Sequence, residues 1–295
     1  MPFQFKKNES PAKAMRRVSR ERISVARERL RKGDHSSAIH DVRREIKKLR
    51  AIFRLTRSEA GRRAYRKSVK ALRAAADYLA APRDARVMLK AFEKLTAGSA
   101  RQFVGIEQVL RKHCRRETRR FQKKDSAVEA DRILRKINQR VGGFKFKGSG
   151  WTAIEPGLKQ SYIRGREACE LVCRKPLPEN FHNWRRYVKD LWYYFQLLHP
   201  ALPARMRAAT DELELLGGQL GEDHDLFLLE RFTKQNCANQ PKETVELNEL
   251  IQSRQQALRA AALQLGSRLY SETSAAVCWR LRNYWQAWRG ETKRK

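Results

Sequence analysis

The chain has 295 residues, of which 41% are hydrophobic and 33% charged, and its formal net charge is +33. A chain of this length supports a large core in one composite domain or two smaller ones, and nothing in it approaches the roughly 18 consecutive apolar residues of a membrane span. Self-repulsion on this scale calls for a polyanionic partner such as nucleic acid, an anionic surface or a phosphate polymer.

Helical periodicity dominates, and no run of alternating β-branched residues argues for a strand, so the spacing predicts an all-α protein. The opening MPFQFKKNES has no apolar core of a secretory signal, and none is expected. Helices are predicted over 10–32, 36–57, 60–80, 83–96, 99–124 and 126–140. The segment VGGFKFKGSGW (141–151) then gathers four of the fifteen glycines and reads as a hinge. A second set follows over 155–174, 179–198, 202–219, 222–236, 242–269 and 272–290, with Pro156 suited to a first helical turn. The chain thus divides into a first bundle (1–140), the hinge (141–151) and a second bundle (152–295). Charge divides unevenly: residues 1–150 hold 43 Lys and Arg against 15 Asp and Glu, whereas residues 151–295 hold 22 against 17. Cys114, Cys169, Cys173, Cys237 and Cys278 are odd in number and lack paired-motif spacing, which predicts free thiols in a reducing, cytoplasmic setting.

The second prediction in each set carries the most specific feature. HDVRREIKKLRAIFRL, from His40, recurs as HNWRRYVKDLWYYFQL, from His182, at an offset of 142 residues. Three of the matched positions are apolar, as packing requires. The others are His40/His182, Arg43/Arg185, Arg44/Arg186 and Lys47/Lys189, types that a plain surface is free to exchange. On a helical wheel at about 100° per residue, Arg43, Lys47, Arg50 and Arg54 fall on one side with His40. Ile39, Val42, Ile46, Leu49 and Phe53 form an apolar band beside that stripe, and the second copy repeats the arrangement with Phe181, Trp184, Val188, Leu191 and Phe195. Such a stripe borders the core and looks into the seam between neighbouring helices. Arg offers a planar fork to two phosphate oxygens, Lys a compact charge and His an N–H donor. Steps of i, i+3 and i+7 rise about 4.5 and 10.5 Å, a ladder suited to a string of charges. A His among these cations is expected to stay neutral near pH 7.

A weaker correspondence sets LAAPRDARVML (from Leu79) over LGEDHDLFLLE (from Leu220), with Asp84 opposite Asp225 at an offset of 141. Other features have blander explanations. The eight Lys and Arg of 111–124, and the run Arg62, Arg63, Arg66, Lys67, Lys70 and Arg73, read equally well as solvated faces. Trp192, Tyr193 and Tyr194 read as core. Glu222 to Asp225, with Asp223 and Asp225 as a helix-start signal, and Cys169 with Cys173 do not make a metal site, and no metal or cofactor is expected.

At these residues the chain resembles the CHAD family, the conserved histidine α-helical domain. The resemblance runs through FQFKKNESPAKAMRR, HDVRREIKKLR and RDARVML, then EPGLKQSYIRGREA, FHNWRRYVKDLWYY, LGEDHDLFLL and LGSRLYSE…WRLRNYW. It implies an all-α tandem of two pseudo-symmetric helical bundles with a basic groove between and along them. It implies binding of long-chain inorganic polyphosphate without catalysis, and an association with polyphosphate granules. Carried over by position, the binding residues are His40, Arg43, Arg44, Lys47 and Arg50 with His182, Arg185, Arg186 and Lys189, and Arg20 and Arg166 on the preceding helices are further contacts. Two departures stand out: Asp190 where the first copy has Lys48, and His224 where it has Arg83. The Glu-x-Glu-x-Lys signature of the triphosphate tunnel domain often joined to this family does not occur, so a stand-alone module is expected. The rival partner is nucleic acid bound without sequence preference, for which the charge speaks but no recognition motif does.

Overall fold

Five α-helices start on a sequence signal, a capping hydroxyl or an early proline. The computed structural model describes residues 2–32, 35–59, 61–99, 102–144, 146 and 148–290. Ser10 caps α1 (Pro11–Arg31), its Oγ accepting from Lys13 N–H, and Thr273 caps α11 (Ser274–Arg289) through Ala276 N–H. Proline occupies the first turn of α1, α7 (Glu155–Arg174), α8 (Pro178–Leu198) and α10 (Pro241–Leu269), where its missing N–H costs nothing. Between them run α2 (His35–Leu55), α3 (Arg62–Asp77), α4 (Ala80–Thr96), α5 (Val104–Lys123), α6 (Ser126–Gly142) and α9 (Ala204–Asn236). Short 3-10 turns cover 150–153 and 199–201, and there is no strand among the described residues.

The helices predicted over 202–219 and 222–236 are one element, α9. Gly217, Gly218 and Gly221 do not break it: a helical glycine costs only about 1 kcal/mol against alanine, which burial of Leu213, Leu216, Leu220, Leu226 and Leu229 offsets. Asp223 and Asp225 therefore lie inside a helix and do not start one. Asp223 is buried and accepts from Arg259 Nε of α10 at 2.7 Å.

Two apolar cores result. The larger is built from α1, α2, α3, α6, α7, α8 and α11 with the first part of α9 and the last part of α10. The smaller joins α4 and α5 to the C-terminal part of α9 and the N-terminal part of α10. The second core therefore draws on both halves of the sequence. Around the glycine-rich segment expected to act as a hinge, Phe144 packs edge-on to Phe53 and Trp151 lies against Trp285, all of them buried. All five cysteines are free, and no described helix is long and apolar enough to cross a membrane.

At Gly157 of α7 the backbone runs so close to α2 that an added Cβ would sit 2.0 Å from the Leu55 carbonyl oxygen. Gly157→Ala therefore lowers stability by about 3 kcal/mol or more, the upper end of overpacking costs. Gly218→Ala, where nothing lies within 4 Å of the added methyl, raises it by roughly 0.5–1 kcal/mol. Urea midpoints compare the two variants, and a harmless Gly157→Ala would refute the close-contact account.

Candidate functional site

Burial of the two apolar bands aims the basic stripes. Ile39, Val42, Ile46, Leu49 and Phe53 of α2 are all buried, as are Phe181, Trp184, Val188, Leu191 and Phe195 of α8. With those faces committed to the core, the adjoining stripes are forced into the seam where α2 meets α8. Helix α8 also packs on α9, α9 on α4 and α4 on α2, so four helices form a ring around that seam.

The ring encloses two adjoining chambers. The central one, about 290 Å³, is lined from α2 by Arg43, Lys47, Arg50 and Arg54, and from α8 by His182, Arg185, Arg186 and Lys189. Arg83 and Asp84 of α4, Asp190 and Tyr193 of α8, and His224 and Leu228 of α9 complete its wall. The outer one, about 490 Å³, shares Arg43, Lys47, Arg83, Arg185 and Lys189 and adds His40, Arg44 and Lys90. His40 and His182 therefore border adjoining parts of one concavity. Two glycines of α9 make room for the cations of α8. An added Cβ would lie 2.7 Å from Lys189 Cδ at Gly217, and 3.3 Å from Arg185 Nε at Gly221.

Carboxylates around the groove are assigned to particular arginines. Arg83 lies 2.9 Å from Asp84 and 3.6 Å from Asp225, which fixes it on the wall between α4 and α9. Arg54 donates to the buried Asp190 across the seam of α2 and α8. Arg43 Nη1 donates to the Ala76 carbonyl at the end of α3, 2.6 Å away. The Nε groups of Arg43, Arg50, Arg54 and Arg185 are nonetheless buried with no hydrogen-bond acceptor among the described residues. Buried donors without partners are uncommon in folded proteins and call for an explanation.

Titration behaviour reflects the same crowding. Burial, with Arg185, Arg83, Arg43 and Lys189 nearby, brings Lys47 down to about 7. Burial and Arg185 bring Lys189 down to about 8. Burial also lowers His40, helped by Lys47 and Arg44, and His182, helped by Arg185 and Arg186. His224 falls furthest, to about 3, through burial and the neighbouring His182. Its ring centre is 4.4 Å from that of His182, with Nδ1 atoms 3.3 Å apart. At neutral pH the imidazoles are uncharged, as the sequence led us to expect.

Of the residues predicted from sequence, His40, Arg43, Arg44, Lys47, Arg50, His182, Arg185, Arg186 and Lys189 all line one or both chambers. Arg44 is held outward by Asp41 at 3.1 Å, and Arg186 bonds the Tyr187 hydroxyl at 2.7 Å. Arg20 and Arg166 line neither chamber. The Arg20 side chain extends to Gly142 at the end of α6, and Arg166 is exposed and paired with Glu170 one turn along α7. Both side chains are exposed, on helices that pack against α2 and α8 without belonging to the ring. Arg83 and His224 belong to neither basic stripe and yet line the central chamber. Each immediately precedes the aligned Asp84 or Asp225, so the shared offset of the weaker repeat was the signal that could have found them. Glu222 to Asp225 diverge: Glu222 to Lys94 and Arg254, Asp223 to Arg259, His224 to His182 and Asp225 to Arg83.

Comparison with curated proteins finds no similar one. Among solved structures, the crystal structure of the CHAD domain from the plant Ricinus communis aligns with a TM-score of 0.66 at 16% identity, covering 92% of this chain and 96% of that one. At such identity the likeness establishes the all-α fold. The family model described as CHAD domain matches residues 17–234. That span takes in α2, α4, α8 and nearly all of α9, the four helices of the ring, and the chain belongs to the CHAD family.

Proposed function

We propose that this protein binds long-chain inorganic polyphosphate in the groove ringed by α2, α4, α8 and α9, and acts by binding alone. The observation that carries the reading is the set of buried guanidinium Nε donors on Arg43, Arg50, Arg54 and Arg185, which have no acceptor among the described residues. They stand beside two lysines whose charge burial and repulsion oppose. A chain of phosphates supplies both the missing acceptors and the missing counter-charge. The central chamber of about 290 Å³ favours a bare phosphate chain over one carrying bases, since pockets for drug-sized ligands start at about that volume. The aromatics nearby are also engaged: Tyr193 is buried, and Lys189 Nζ sits 3.6 Å from the centre of the Trp192 ring. The same reading locates the protein in the cytoplasm, at polyphosphate granules where the polymer accumulates.

Hydrogen bonds to charged groups are each worth about 1.5–3 kcal/mol. Lys47→Gln combined with Arg185→Gln therefore weakens long-chain polyphosphate on the order of 100-fold. Arg115→Gln with Arg119→Gln, an equal charge change on the exposed face of α5, costs far less. Titration calorimetry of the two variants decides the matter, and equal losses would reduce the site to bulk charge. Displacement of bound polyphosphate by RNA at matched phosphate concentration would favour the nucleic-acid partner instead.

Binding also takes up protons. Free Lys47 and Lys189 lose their protons around pH 7 and 8. A phosphate beside them, facing Arg43, Arg83, Arg185 and Asp225 as well, raises both values. Affinity therefore falls as pH rises above about 7 and levels off once the bound-state values are passed. Calorimetry in two buffers of different ionisation enthalpy reads the uptake directly. Zero uptake between those pH values would remove both lysines from the ligand's surroundings.

A further inference from the structure

The groove continues past its central chamber. Arg54 and Asp190 also line a third, more open cavity of about 540 Å³, whose wall includes Arg57, Tyr65 and Arg164. Asp190 takes the place that Lys48 holds in the first copy of the repeat. Its side chain is only 3% exposed, one oxygen accepts from Arg54, and the other, Oδ2, has no hydrogen-bond partner among the described residues. Asp84 and Asp225 border the groove too, but on the opposite wall, where Arg83 lies 2.9 Å from Asp84 and 3.6 Å from Asp225 Oδ1 without a hydrogen bond to the latter. Asp190 sits on the seam itself, where the two cavities meet.

Burial works against charge on both members of this pair. The Asp190 carboxylate more than offsets it for Arg54 and raises the pKa of that guanidinium. Burial pushes the Asp190 carboxyl up, against the pull of Arg54, Arg50 and Arg186. Both groups are charged, because a neutral carboxyl would leave the Arg54 cation buried without its counter-ion. A polyanion reaching this point meets a desolvated like charge, and like-charge repulsion is strongest where water is excluded.

We propose that Asp190 ends the phosphate-binding run: it occupies Arg54 as an internal counter-anion and bars a polyanion from passing between the central chamber and the third cavity. The stripe of α2 from His40 to Arg54 then spans about 21 Å at 1.5 Å per residue. The position of Asp190 sets how much of a phosphate chain the protein engages, and so its length preference. This inference rests on the polyphosphate reading above.

The experiment titrates wild type, Asp190→Asn, and Arg57→Glu with Arg164→Glu against inorganic tripolyphosphate and long-chain polyphosphate, after circular dichroism of each. Asn keeps an acceptor for Arg54 and removes the negative charge. We expect Asp190→Asn to bind the long chain roughly tenfold tighter, the scale of one further charged contact, with tripolyphosphate nearly unchanged. In the otherwise native chain, Arg57→Glu with Arg164→Glu leaves long-chain affinity within about twofold, because the polymer stops short of them. An Asp190→Asn variant with unchanged or weaker long-chain binding overturns the proposal. So does a large loss from the Arg57 and Arg164 pair, a readout that stands even where Asp190→Asn does not fold. Wild type that binds neither ligand sinks the polyphosphate reading itself, whereas wild-type binding with either overturning result sinks only the role of Asp190.

Discussion

Like charges confined in a partly dehydrated groove are the constraint on which the rest of this structure depends. Arg43, Lys47 and Arg50 from one helix face Arg185 and Lys189 from another, and each is disfavoured by lost hydration and by its neighbours. Such a cluster cannot hold itself together. It is held by the opposite interest of the same helices, whose apolar bands are almost entirely buried. Hydrophobic burial of the order of 25 cal/mol per Å² over many side chains outweighs the repulsion and fixes its geometry. An anion then gains from relieving an existing strain and spends little on ordering the groups that receive it.

The acids of the groove have a complementary part. Asp84 and Asp225 hold Arg83, and Asp190 holds Arg54, so these arginines are oriented parts of the wall. The cations between them have no such partner. Pairing Arg54 and Arg83 with carboxylates, and leaving Arg43, Arg50 and Arg185 without one among the described residues, separates architecture from recognition within one cluster of the same residue type. Gly217 and Gly221 act alongside: by omitting a Cβ on the facing surface of α9, they let Lys189 and Arg185 lie along the groove without being displaced from it.

Much of this was legible in the linear chain. The period of about 3.6 residues gave the helices, and the apolar bands on either copy of the repeat proved to be the buried faces. Stripes bordering those bands had to point into a seam, and nine predicted residues do. The failures have a common origin. Asp223 and Asp225 look like capping residues when only near neighbours are considered, but partners on α10 and α4 hold them inside a long helix. Arg20 and Arg166 were assigned through resemblance, and helix packing turns both outward.

What the sequence alone determined is the repeat, the charge, and the angular relation of cations to apolar residues on each helix, because these follow from backbone periodicity and side-chain chemistry. Only the tertiary structure decided which helices close the ring, that Arg83 and His224 join it, and that Asp190 lies on its seam. Those outcomes depend on contacts between segments more than a hundred residues apart, such as Arg54 with Asp190. Distances of that kind are set by how separate apolar faces pack together, and local spacing carries no record of it.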